Sequence, residues 1–238
     1  MVKIDLNKIE IYCDTSEKKK IIKYSKNRLI KGFTTNPSLM KSAGVKDYKG
    51  FAKEISKKVK NKPISFEVIS DDLSGMYNQA RKISKWGKNI YVKIPITNSK
   101  GKKTLPIIKK LSDLNIKLNI TALFTIDQIK EIKKNISKNS KVIISIFAGR
   151  IADTGRDPEK IIVQSIKLFK GYKNVKILWA STREIFNIIH AQKIKCHIIT
   201  VPDKILNNLE TLNKNLLRYS KETVKKFYLD GKSSKFII

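Results

Sequence analysis

The sequence predicts a closed parallel (β/α)8 barrel followed by an extra C-terminal helix. The whole chain, residues 1–238, reads as one domain, with the barrel at about 9–214 and the helix and tail at about 215–238. Three observations predict this. Short β-rich runs alternate with longer amphipathic stretches through eight cycles. Those cycles occupy about 215 residues, which suits a closed barrel, whereas the alternative, a doubly wound open sheet, usually has fewer units. Polar side chains also collect near the carboxyl ends of the runs, on the parity that faces into a barrel.

The first strand, 9–13, sets Ile9, Ile11 and Cys13 outward and leaves Tyr12 and Asp14 inward, ahead of a helix over 15–26. The second, 30–35, runs into Thr34-Thr35-Asn36-Pro37, where Thr34 and Asn36 take the inward parity if Phe33 faces out; a helix covers 46–60. In the third, 63–68, Ile64, Phe66 and Val68 point outward and Ser65 and Glu67 inward. Asp71 or Asp72 starts the helix over 71–86. The fourth, 89–94, turns Ile90, Val92 and Ile94 to the helices and Tyr91 and Lys93 to the barrel, and Pro95 ends it before a helix over 101–114. The fifth, 117–121, places Asn119 and Thr121 inward opposite Leu118 and Ile120. Thr125 with Gln128 three residues on marks the start of the helix over 125–137. The sixth, 141–147, carries Ser145 and Phe147 on one face and is followed by a helix over 157–171. The seventh, 175–180, carries Trp179 and Ser181 on one face and leads to a helix over 183–193. The eighth strand is 197–201, with helices over 203–214 and 215–229 after it.

Composition narrows the function. The formal charge of +31 invites a nucleic acid or an anionic membrane as partner. Only six of the 51 basic residues are arginines, however, and the lysines are spread along the chain with abundant Ile and Asn, as an AT-rich coding sequence would produce. No nucleic-acid partner is expected. No apolar run approaches the ~20 residues of a membrane span. The start, Met1-Val2-Lys3-Ile4-Asp5, has no signal-peptide core, so a cytoplasmic protein is expected. Two cysteines, Cys13 and Cys196, and two histidines, His190 and His197, make no metal or redox spacing.

Lys93 stands out among 45 lysines because β-branched residues flank it on both sides. A lysine in such a run costs desolvation energy unless it loses its proton, which would lower its pKa from about 10.4. A neutral amine attacks carbonyls. The plainer alternative is a strand-end lysine that reaches solvent along its stem. The other strands weigh on this choice. Barrel interiors are normally filled by branched apolar side chains, with the active site at the carboxyl face. Two carboxylates, a lysine, two asparagines and several hydroxyls would be costly to bury for stability alone.

These residues make the family recognisable. Asp14-Thr15, Gly32-Phe33-Thr34-Thr35-Asn36-Pro37-Ser38, Phe66-Glu67-Val68, Val92-Lys93-Ile94-Pro95, Asn119-Ile120-Thr121-Ala122-Leu123-Phe124, Ser145-Ile146-Phe147-Ala148-Gly149-Arg150 and Ala180-Ser181-Thr182-Arg183 run collinearly from residue 12 to about 202. The chain resembles the transaldolase family, in particular its small-subunit branch, which also contains the fructose-6-phosphate aldolases. The resemblance implies a TIM barrel and a class I mechanism with no cofactor and no metal, acting on phosphorylated sugars in the pentose phosphate pathway. It makes Lys93 the Schiff-base lysine and Asp14 the acid/base at the C4 hydroxyl. Glu67 works through a water held with Thr121. Asn36, Asn119 and Ser145 bind the dihydroxyacetone moiety, and Thr34 joins this substrate-binding set. Arg150, Ser181 and Arg183 form the phosphate site, where arginine's planar fork suits the ligand.

Glu67 and Phe147 stand where transaldolases carry Glu and Phe and the fructose-6-phosphate aldolases typically carry Gln and Tyr. Phe147, which also lies among the substrate-binding positions, cannot donate a proton. Both choices favour transfer to an aldehyde over release of free dihydroxyacetone, so a transaldolase is expected, with the aldolase as alternative. A non-catalytic, nucleic-acid-binding barrel is a third reading, opposed by the intact Asp14, Glu67, Lys93 and Thr121. Two departures leave other sugar phosphates open. The loop Ile151-Ala152-Asp153-Thr154-Gly155-Arg156 is less acidic than usual, with Arg156 either a second cation at the phosphate or a surface residue. The tail Asp230-Gly231-Lys232-Ser233-Ser234-Lys235 also differs from the family's. Small relatives form rings of five or ten through the C-terminal helix, which implies a homo-oligomer here; the apolar residues of 215–229 would equally cover their own barrel.

Overall fold

A computed structural model describes residues 6–234. The segment Met1–Asp5 and the end of the tail at Lys235, on which two of the expectations above rest, lie outside the described residues.

Eight strands form a closed barrel in sequence order: β1 (Glu10–Asp14), β2 (Ile30–Thr34), β3 (Ile64–Glu67), β4 (Ile90–Pro95), β5 (Leu118–Leu123), β6 (Val142–Ile146), β7 (Val175–Trp179) and β8 (Ile198–Pro202). Every pairing is parallel, and β8 closes on β1. The TIM-barrel architecture expected from the alternation is therefore the one observed. The helices are α1 (Lys18–Ser25), α2 (Pro37–Ser42), α3 (Tyr48–Lys58), α4 (Leu73–Ser84), α5 (Leu105–Asp113), α6 (Ile126–Lys134), α7 (Ala148–Ala152), α8 (Glu159–Leu168), α9 (Phe186–Lys193), α10 (Asp203–Leu206) and α11 (Leu216–Ser234). Asp72 caps α4 by accepting from Gly75 N, and Thr125 and Gln128 form the capping box of α6.

Side-chain alternation sorts two cores. Ile11, Phe33, Phe66, Val92, Ile94, Ile120, Ile144 and Ile177 belong to the large core between strands and helices. Tyr12, Ile143, Leu178, Ala180 and Ile198 form a smaller core inside the barrel, with Tyr91 and Phe147 packed on it. Gly32 makes room for this plug: a Cβ there would lie 2.6 Å from the Tyr12 ring. The amino half of the interior is thus filled by apolar side chains, and polar groups are left to the carboxyl half.

Five details differ from the expectation. Trp179 packs in the outer core, while Leu178 and Ala180 take the inward parity of β7. Ser181 is not a strand residue sharing the Trp179 face; it lies past the end of β7 with φ +65°, which breaks the alternation. The helix expected over 203–214 stops at Leu206 and gives way to a 3-10 turn, Leu209–Thr211. Two short helices, α2 and α7, follow β2 and β6 directly; Pro37 starts the first, with Asn36 as its cap. The last helix runs on to Ser234, and no residue of it is buried.

Candidate active site

A cavity of about 170 Å³ opens at the carboxyl ends of the strands, lined by Asp14, Thr34, Asn36, Lys93, Thr121, Ser145, Phe147, Arg150, Ser181, Arg183 and Thr200 among others. A larger hollow of about 780 Å³ lies at the amino ends of β1, β7 and β8, but its lysines, Lys8, Lys176, Lys193 and Lys195, are all exposed and it gathers no buried polar cluster.

Lys93 is 7% exposed. The parallel register places it beside Glu67 of β3 on the same inward face, and the two charges meet at 3.1 Å between Nζ and Oε2. Its Nζ also donates to the Thr35 carbonyl at 3.1 Å. The lysine is therefore desolvated and partnered at once, rather than desolvated alone as the apolar run suggests. Glu67 does not line the cavity; it reaches Nζ from the side.

Asp14 stands at the end of β1. Burial pushes its carboxyl above the ordinary carboxylate value; the Lys93 charge and the Thr34 hydroxyl pull it back, and Glu67 adds to the rise. Thr34 Oγ1 donates to Asp14 Oδ1 at 2.7 Å and also lies 2.5 Å from Thr200 Oγ1. Because the single hydroxyl proton of Thr34 is committed to Asp14, Thr200 must be the donor in the second contact. Thr200, Thr34 and Asp14 form a relay. The sequence reading missed Thr200, although Ile199 and Val201 facing outward put it on the inward parity of β8.

On the opposite wall, Asn119 is fully buried below the cavity. Its Nδ2 donates to Ser65 Oγ at 2.9 Å, and its Oδ1 accepts from Ser145 Oγ at 2.7 Å. Asn119 thus orients Ser145, which does line the cavity. Ser16, Thr121 and Trp179 each bury a polar atom without a partner among the described residues, and of these only Thr121 faces the cavity. Ala122, with φ +58°, follows Thr121 where the β5–β6 register shifts, so a strained bulge aims this hydroxyl. Asn36 commits its Oδ1 to Leu39 N at 2.9 Å and leaves its amide nitrogen to the cavity edge.

The far end is basic. Arg150 projects from α7 with its guanidinium 5.6 Å from the centre of the Phe147 ring. Arg183 Nε and Nη2 donate to the two oxygens of Asp153 at 3.0 and 2.5 Å. Gly149 brings these segments together, because its amide donates to Ala180 O at 3.3 Å and a Cβ there would lie 1.6 Å from Ser181 O. Among the described residues Arg156 bonds to Thr154 Oγ1, at 3.1 Å; it is exposed and does not line the cavity, which favours the surface alternative.

Fold and site together describe a (β/α)8 barrel with a buried lysine–carboxylate pair and a second carboxylate at one end of its mouth, and arginines at the other. The comparisons give the family. The chain belongs to the transaldolase/fructose-6-phosphate aldolase family, whose model matches residues 11–235. It is 36% identical over 199 residues to a "probable transaldolase" of Thermoanaerobacter sp. (strain X514), covering 83% of this chain and 88% of that one. It is 33% identical over 228 residues to a protein of the same name from Carboxydothermus hydrogenoformans, covering 95% and 100%. Among solved structures it is similar in fold to KGPDC from Streptococcus mutans, with a TM-score of 0.53, 11% identity and coverage of 82% and 86%. No helix among the described residues is long and apolar enough to cross a membrane.

Proposed function

We propose that this protein is a transaldolase that moves a dihydroxyacetone unit from a ketose phosphate to an aldose phosphate through a Schiff base on Lys93. The observation that carries the reading is a lysine 7% exposed at the base of the cavity, with Glu67 at 3.1 Å and Asp14 across the same cavity. Glu67 takes the proton that Lys93 must lose before it attacks the ketose C2 carbonyl. Water leaves, and the iminium draws the electron pair of the C3–C4 bond as Asp14 takes the C4 hydroxyl proton. The shortened sugar departs as an aldehyde. The enamine left on Lys93 adds to the acceptor aldehyde, Asp14 returns the proton, and water releases the product. We assign the holding of that water to Glu67 and the Thr121 hydroxyl, a reading supported by the absence of any partner for that hydroxyl among the described residues. Ser145, oriented by Asn119, and the Asn36 amide bind the three-carbon unit. Arg150, Ser181 and Arg183 take the phosphate.

Phe147 supports transfer over release. Its ring lines the cavity, packed against Phe124 at 5.7 Å between centroids, and it has no proton to give the enamine. The exposed α11, with Leu216 at 80%, Leu217 at 84% and Phe227 at 67%, is the surface we assign to contact between copies; light scattering would then show a chain ending at Asn213 in a smaller assembly.

The test is reduction with borohydride in the presence of fructose 6-phosphate. The imine should be fixed on Lys93, block trypsin there and give a labelled peptide from Asn89 to Lys100; Lys93→Ala should give none. No label at Lys93 with any ketose phosphate would sink the proposal. Product formation at full rate without an aldehyde acceptor would favour the aldolase reading instead.

A further inference from the structure

We infer that Asp153 is a positioning residue that fixes Arg183 from outside the cavity, so that the opposite edge of the guanidinium is presented to a phosphate ester or free phosphate. This rests on the reading of Arg150, Ser181 and Arg183 as the phosphate end of the site. Three observations support it. Arg183 lines the cavity and Asp153 does not, so the carboxylate is a backing group rather than a wall. It takes the Nε and Nη2 side of the fork, at 3.0 and 2.5 Å, and leaves both N–H groups of Nη1 and the second one of Nη2 for a ligand. Asp153 also caps the C-terminal end of α7, the helix that carries Arg150, so one short helix supplies one guanidinium and holds the other.

Stability does not explain the pair. Its partners keep 47% and 50% of their side-chain surface, and ion pairs that exposed contribute little. What a held arginine gains is order: its rotamers are restricted before the ligand arrives. The backbone adds to this, since Arg183 N donates to Asn187 Oδ1 at 2.9 Å. Charge acts in the opposite direction. Arg183 first, and Arg150 after it, hold the Asp153 carboxyl below the usual carboxylate range, which means that it cancels part of their field. If orientation dominates, loss of Asp153 weakens phosphate binding; if charge dominates, it strengthens it.

Calorimetric titration of the full chain with inorganic phosphate decides between them. Asp153→Ala should bind phosphate about three- to tenfold more weakly than the unmodified protein, with an unchanged unfolding midpoint. In an Arg183→Gln background, Asp153→Ala should add nothing, because the effect passes through Arg183. In turnover, KM for a ketose phosphate should rise by the same factor with kcat unchanged, and imine trapping with unphosphorylated dihydroxyacetone should not move. Tighter or unchanged phosphate binding in Asp153→Ala would overturn the inference, as would an unmodified protein that does not bind phosphate. A protein that binds phosphate with the expected Asp153 dependence but forms no imine on Lys93 would refute the transaldolase reading and leave this one standing.

Discussion

At the lysine end of the cavity Lys93 and Glu67 keep 9% and 16% of their side-chain surface, whereas at the arginine end Arg183 and Asp153 keep 47% and 50%. On the proposed reading the two ion pairs serve different purposes. Proton transfer and imine chemistry need charges removed from water, where a neighbouring charge or hydroxyl shifts a pKa strongly. Holding a phosphate that must enter and leave needs a planar fork in the right orientation, and that works in contact with solvent. Substitutions at the lysine end should therefore act on rate and on its pH dependence, and substitutions at the arginine end on affinity.

The largest effect that tests this division is expected from Asp14→Asn. The amide cannot take the C4 proton, so kcat should fall by about 10²–10⁴-fold with little change in phosphate affinity. Stability should move the other way, and its sign follows from the direction of the shift. Burial raises the Asp14 pKa in the folded protein, so the native state holds this proton more tightly than the unfolded chain does. Stability then falls as pH rises from the ordinary carboxylate value through the raised one. Asp14→Asn should thus be more stable than the natural protein at neutral pH, with the advantage vanishing in acid below the ordinary value. Thermal unfolding measured across pH checks this. A loss of stability at neutral pH would mean that the carboxylate is held by partners and not strained by burial.

Gly149→Ala probes the other end with a smaller effect. The new Cβ would lie 1.6 Å from Ser181 O, a backbone atom that cannot rotate away. The start of α7 must shift, at a cost of about 1–3 kcal/mol and several degrees in the unfolding midpoint. Arg150 and Ser181 move apart with it. The affinity for phosphorylated donors should drop roughly tenfold, while dihydroxyacetone alone is still trapped on Lys93. Equal losses with both ligands would show that the two ends are not independent.

What was legible in the sequence follows the same division. The inward placement of Lys93, Glu67, Asn119, Thr121 and Ser145 needed only strand alternation, because a one-residue error would have buried every charge among the helices. The arginine end lies past the strands, where alternation no longer applies. The left-handed Ser181, the clamp of Gly149 on it and the Arg183–Asp153 pair, 30 residues apart in sequence, depend on loop geometry that no periodicity encodes. Asn119 shows a limit within the strands: its parity was readable, but its depth was not. It lies under the cavity and acts on Ser145. Thr200 was readable and overlooked, because one hydroxyl in the run Ile198–Pro202 draws no attention until its neighbour in β1 is known to carry Asp14.

Thr200→Val gives the smallest effect and the sharpest comparison within the lysine end. Thr200 donates to Thr34, and this polarises the hydroxyl that Thr34 in turn donates to Asp14. Valine keeps the shape and removes the first link. The Thr34 bond to Asp14 survives but weakens, and the carboxylate loses part of a stabilising partner, so the Asp14 pKa should rise further. The acid limb of the rate should then move to higher pH, with the plateau rate and phosphate affinity unchanged. Thr34→Val removes the bond to Asp14 itself and should move the limb further in the same direction. If both variants leave the limb in place, the relay only packs this part of the barrel, and the Asp14 pKa is set by burial and Glu67, which raise it, against the Lys93 charge, which lowers it.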